Sequence, residues 1–102
     1  MSKHIKIHGI IHGDPELYSF VNSCEIIFAL ELSEAVPELD KKLGDVIVVH
    51  YSSSYITYVR RGDRIECLGK LQKRHLKNKD TTVTWIEAHQ LYNESLHFSF
   101  DY

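Results

Sequence analysis

The chain has 102 residues, 43% of them hydrophobic and 25% charged, with only two prolines. That is enough material for one packed core and too little for two, and it is too apolar for an intrinsically disordered chain. A formal net charge of −2 excludes a uniformly basic surface, so any site for a polyanion has to be local.

Period-two alternation opens the chain. Ile5, Ile7 and Ile11 fall on one face and Lys6, His8, Ile10 and His12 on the other, which predicts a strand. Gly13-Asp14-Pro15 predicts a turn, because glycine, aspartate and proline each favour one. Residues 25–32 predict a second strand with Ile26, Phe28, Leu30 and Leu32 facing the core. Residues 33–44 mix acidic residues with two lysines, Pro37 and Gly44, and read as a surface loop with room for one helical turn. The β-branched run at 45–51 predicts a third, mostly buried strand.

Residues 52–61 carry Tyr55, Ile56, Tyr58 and Val59 at helical spacing and predict one short amphipathic helix ended by Gly62. Over residues 63–74 alternation returns, with Ile65, Cys67, Gly69 and Leu71 on one face, and Gly69 placed to bend the strand. Lys77-Asn78-Lys79-Asp80 forms a polar hairpin loop, and a fifth strand follows over 81–91. This order predicts an all-β fold, a five-stranded Greek-key barrel of the OB type with one short helix between strands three and four. The domain is expected over residues 1–92, with 93–102 as a short C-terminal tail.

Charge is unevenly distributed. Residues 1–59 hold four Lys/Arg against eight Asp/Glu, residues 60–79 eight against two, and residues 80–102 none against four, giving −4, +6 and −4. A basic island between acidic flanks is what a groove for a polyanion on a self-repelling surface looks like, and equally what a solvated hairpin looks like. Cys24 and Cys67 stand far apart, each in an apolar strand-like run, and read as buried free thiols in a reducing compartment. The N-terminus alternates polar and apolar residues, unlike a signal peptide, and the longest apolar run, residues 26–30, is too short for a bilayer. The expected location is the cytoplasm, with no membrane partner.

Several segments together carry a resemblance. The run Ile7-His8-Gly9-Ile10-Ile11-His12-Gly13-Asp14-Pro15-Glu16-Leu17 resembles the first strand and following turn of bacterial single-stranded DNA-binding proteins. Phe28-Ala29-Leu30-Glu31-Leu32 and Val46-Ile47-Val48-Val49 resemble that family's second and third strands, and Val59-Arg60-Arg61-Gly62-Asp63 its basic helix end. Leu68-Gly69-Lys70-Leu71-Gln72-Lys73-Arg74 is similar to its Gly-basic-Leu-x-x-Arg fourth strand, with Thr81-Thr82 opening the next. The resemblance covers residues 5 to about 92 and implies low-specificity binding of single-stranded DNA in replication, recombination or repair.

On that resemblance Lys70, Lys73, Arg74 and Lys77 engage phosphates, while Arg60, Arg61 and Arg64 add positive field. Tyr51, Trp85 and Tyr55, with Tyr18, are the stacking candidates, each with a competing reading as a core or helix-packing residue. The resemblance further implies a homo-oligomer, dimer or tetramer, and replication proteins as partners. Leu76 departs from the pattern, standing where some members place a tryptophan, and no long acidic-tipped linker follows residue 92, as expected of a tail-less primosomal, phage or plasmid type. The alternative is an OB-fold protein-interaction module in a replication or primosome complex.

No enzyme signature emerges. His8 and His12 would lie roughly 13 Å apart along a strand, too far for one ion. The chain has no Gly-x-Ser-x-Gly or phosphate-binding glycine loop, and Ser52-Ser53-Ser54 reads as a helix N-cap region. The expectation is a non-enzyme without cofactor or metal.

Overall fold

A computed structural model describes residues 4–53, 59–95 and 98–101. Its strands are β1 (His4–Ser19), β2 (Cys24–Leu32), β3 (Val46–Ser53), β4 (Arg64–Leu76), β5 (Thr81–Asn93) and β6 (Phe98–Asp101). Strands β1 to β5 form a ring-like mixed sheet. β1 pairs antiparallel with both β2 and β4, β2 with β3, and β4 with β5, and a parallel pairing of β3 with β5 closes the ring. A small all-β closed sheet of this order is compatible with an OB-like fold.

Alternation decides what lies inside. Ile7, Ile11, Ile26, Phe28, Leu30, Leu32, Ile47, Val49, Ile65, Cys67, Ile86 and Leu91 are all buried in one core. Each fully buried aliphatic side chain contributes about 1.5–3 kcal/mol relative to exposure. Gly69 brings β4 and β5 unusually close: a Cβ there would overlap the Glu87 carbonyl oxygen and sit 2.8 Å from Ala88 Cα. The β4–β5 register slips beside it, where Leu68 faces Gln90 but Gly69 faces Ala88, leaving His89 as the extra residue. The bend expected at Gly69 is this bulge.

Three expectations change. Gly13-Asp14-Pro15 does not end the first strand but forms a bulge within β1, where residues 13–15 lie opposite Phe28 alone and pairing resumes at Glu16↔Ile27. Gly13 takes φ 79°, and a bulge tolerates the amide that Pro15 lacks. The reversal comes later, where the Phe20 amide donates to the Ser23 carbonyl. In the expected helix at 52–61, Ser52 and Ser53 instead extend β3, while residues 54–58, including Tyr55, lie outside the described residues. Residues 60–63 form a turn with Asp63 N–H donating to the Arg60 carbonyl and Gly62 at φ 89°, the position a type II turn reserves for glycine. A 3-10 turn occurs between β2 and β3, at Pro37–Leu39. Within the stretch read as a tail, β6 pairs antiparallel with β5 from Gln90↔Asp101 to Asn93↔Phe98.

Candidate nucleic-acid interface

Strand β4 has two unlike halves. From Arg64 to Lys70 it lies between β1 and β5, but the pairing with β1 ends at His4↔Lys70. Beyond that point, among the described residues, β4 pairs with β5 alone, to Leu76↔Thr81, and forms a two-stranded arm whose residues are exposed from Lys73 to Thr84 except for the half-buried Leu76. Asp80, at φ 47°, supplies the left-handed residue that the tip requires.

The arm and its base carry Lys70, Lys73, Arg74 and Lys77. Lys70 and Arg74 alternate outward with Gln72 and face Glu87, Val83 and Trp85 across the ladder, so two cations share the outer face with the indole. Lys73, paired with Thr84, points to the opposite side, where it lines a groove with Ile47, Leu71, Lys41, Glu38 and Asp40. Lys77 sits at the tip beside Arg74 and Lys79. Among the described residues, no carboxylate oxygen lies within 4.0 Å of any of these four cations. None is tied up in a close ion pair, although Glu87 faces Lys70 across the ladder and Glu38 and Asp40 border the groove of Lys73, so Arg74 and Lys77 are the cations with no acidic neighbour in these contacts.

Trp85 is half-buried on the outer face and stacks against His50 of β3, with ring centroids 5.4 Å apart and planes inclined by 25°. The pair borders a cleft of about 450 Å³ together with Glu25, Ser52, Glu87 and His89. Glu25 Oε1 lies 3.5 Å from His50 Nδ1. The outward valines Val46 and Val48 extend this surface along β3, at 44% and 39% exposure. Stacking surface, apolar surface and two of the cations, Lys70 and Arg74, thus meet on one side of the ring.

Not all of the basic island joins them. Arg60, Arg61 and Arg64 stand at the other end of β4, and the ten residues from Arg64 to Arg74 span roughly 33 Å of strand. Arg61 Nε lies 3.8 Å from Asp14, the Arg60 amide donates to Asp63 Oδ2, and the Arg64 amide donates to Ser95 Oγ. The continuous run of cations in the sequence is split in space because extended backbone advances about 3.3 Å per residue. Tyr51 also leaves the set: it is 1% exposed, inside the ring opposite Ile26 and Ala88, and presents no face to a base. Its parity with Ile47 and Val49 places it there.

A second exposed surface was hidden by the misplaced turn. At the β1–β2 tip Leu17, Tyr18, Phe20 and Val21 are 48%, 46%, 60% and 99% exposed. Tyr18 donates its hydroxyl hydrogen to Glu16 Oε2 at 2.8 Å, and that acceptor raises the phenol's pKa. The signal available in the sequence was the run of apolar residues just beyond Pro15.

No protein-family model matches this chain, and no curated protein is significantly similar to it. The resemblance to single-stranded DNA-binding proteins therefore rests on the residues that carry it, without a family assignment.

Proposed function

We propose that this chain binds single-stranded DNA with low sequence specificity, on an OB-type Greek-key barrel, as part of DNA replication, recombination or repair. The supporting observation is the basic arm: Lys70 and Arg74 share its outer face with Trp85, Lys73 lies on the other face and Lys77 at the tip, and none has a carboxylate oxygen within 4.0 Å among the described residues. Phosphates lie along the arm, and a base enters the cleft to stack on the Trp85–His50 pair. Glu25 and Glu87 border that cleft. Their charge repels phosphate, so the backbone tracks the Arg74 and Lys77 side of the arm while bases reach the indole. Nothing in this binding requires a bond to be made or broken, and no catalytic role is assigned.

Trp85 is the chain's only tryptophan, so its fluorescence reports on the site directly. Titration with oligo-dT should change the emission, and four phosphate contacts give roughly a 50-fold loss of affinity between about 50 and 200 mM salt. Oligo-U in competition measures preference for DNA over RNA. An emission unchanged by either oligonucleotide at low salt overturns the proposal.

A protein-interaction module is the second reading, favoured by the exposed apolar residues at 17–21 and by Val46 and Val48. It expects no oligonucleotide response, and a solvent-sensitive probe attached at Phe20→Cys that responds to a protein partner.

A further inference from the structure

His8 projects outward from β1 into a group of carboxylates drawn from three other parts of the chain. Its Nδ1 lies 3.5 Å from Glu94 Oε1, just beyond β5, and 3.9 Å from Glu66 Oε2 on β4. One donor atom each from His8, Glu66 and Glu94 fall within 4.8 Å of one another. All three residues are half-buried, with side chains 34%, 31% and 37% exposed. The β1–β4 register sets His8 directly opposite Glu66, and β5 ends at Asn93, which delivers Glu94 to the same place.

We propose that His8 Nδ1, Glu66 and Glu94 form a binding site for one divalent transition-metal ion of the zinc class. A point equidistant from three atoms so spaced is about 2.4 Å or less from each, within a few tenths of an ångström of the roughly 2.0–2.2 Å that zinc takes from imidazole nitrogen and carboxylate oxygen. One nitrogen with two oxygens is a borderline donor set that suits zinc or manganese better than a thiophilic ion. Solvent completes the coordination, since each ligand is partly exposed.

Two further observations point the same way. Glu34 Oε1 lies 3.8 Å from His8 Nε2, the ring nitrogen that the ion does not use. At that distance Glu34 makes no direct hydrogen bond, but its charge favours the tautomer protonated at Nε2, which leaves Nδ1 as the donor, and metal-bound histidines commonly have such a carboxylate on the far nitrogen. Charge provides the second. Glu34, Glu66 and Glu94 bring three negative charges together, while Lys6, whose Nζ is 3.4 Å from Glu66 Oε1, supplies one positive charge. Glu66 is divided between them, with Oε1 toward Lys6 and Oε2 toward His8. Arg64 lies two residues from Glu66 on the same face, and a divalent ion would offset the negative charge that the carboxylates concentrate around His8. It would also tie β1, β4 and the end of β5 together, at the end of the ring opposite the basic arm. The site does not depend on nucleic-acid binding.

Calorimetry of the untagged full chain with zinc chloride and manganese chloride tests the assignment, with cobalt chloride as a spectroscopic probe. The wild type should bind one equivalent of Zn²⁺, and the Co²⁺ form should show weak visible bands without a thiolate charge-transfer band. His8→Ala should weaken Zn²⁺ at least tenfold, Glu94→Gln similarly, and Glu34→Gln less. His12→Ala and His50→Ala should leave it unchanged. Glu94→Gln is isosteric and preserves the fold, so its result stands even if His8→Ala unfolds. Absence of saturable binding, a thiolate band, or a stoichiometry and affinity unaltered in His8→Ala and Glu94→Gln overturns the proposal.

Discussion

The two halves of β4 share one strand and one alternation, yet they do different things. Residues 64–70 are flanked by β1 and β5, and their inward side chains Ile65 and Cys67 are wholly buried. Among the described residues, 71–76 pair with β5 alone, and there the same backbone presents Lys73 and Arg74 to solvent. What separates scaffold from binding surface, among the described residues, is the presence of β1 as a second neighbour, described as far as His4↔Lys70. Substitutions on either side of that point should therefore separate stability from binding.

The largest effect belongs to the packed half. Ile65→Ala leaves a cavity where no part of the side chain is exposed and should cost about 2–5 kcal/mol in chemical denaturation, with oligonucleotide affinity of the folded fraction unchanged. Next comes the polar contact that closes the same end. Asn93 Nδ2 donates to the buried Asp63 Oδ2 at 3.0 Å, and the same oxygen accepts from the Arg60 amide. Asn93→Ala should cost about 1–3 kcal/mol by the same assay, since a buried acceptor loses a donor. Trp85→Ala belongs to the exposed face. It should weaken oligo-dT by about 1–3 kcal/mol, read by anisotropy of a labelled oligonucleotide, with a smaller cost in stability than Ile65→Ala.

The last effect is a pH dependence, confined to alkaline solution. Burial pushes the Cys67 thiol from its ordinary 9.0 up to about 12. A folded-state pKa above the unfolded one means that the neutral thiol's contribution is intact below pH 9 and is lost as pH rises toward 12. Denaturation midpoints should decline through that window in the wild type and decline less in Cys67→Ala. At pH 8 a thiol reagent should modify the half-buried Cys24 and spare Cys67.

Much of the fold was legible because strands repeat every two residues. The inward set Ile26, Phe28, Leu30 and Leu32 follows from alternation alone, and Gly69 announced the close approach of β4 to β5. Gly13-Asp14-Pro15 misled because a positive φ and a missing amide suit a bulge as well as a turn, and only the partner strand decides which forms. The site was less legible. Charge counted along the chain merged Arg60, Arg61 and Arg64 with Lys70 to Lys77, although extended backbone carries them to opposite ends. The His8 cluster was invisible for the complementary reason: pairs within one strand were too far apart, and its ligands meet only through cross-strand register. Trp85 lay on the outward parity of β5, but its partner His50 depends on the parallel β3–β5 closure, which no local pattern encodes.

The most direct test of the basic arm is the salt dependence of oligo-dT binding by the wild type and by a Lys73→Ala, Arg74→Ala, Lys77→Ala variant. The wild type should give a log-log slope of about −3, and the variant, with stability changed by no more than about 0.5 kcal/mol per site, a slope reduced in magnitude by about 2. Equal slopes for the two proteins would contradict the assignment of the arm as the phosphate-binding surface.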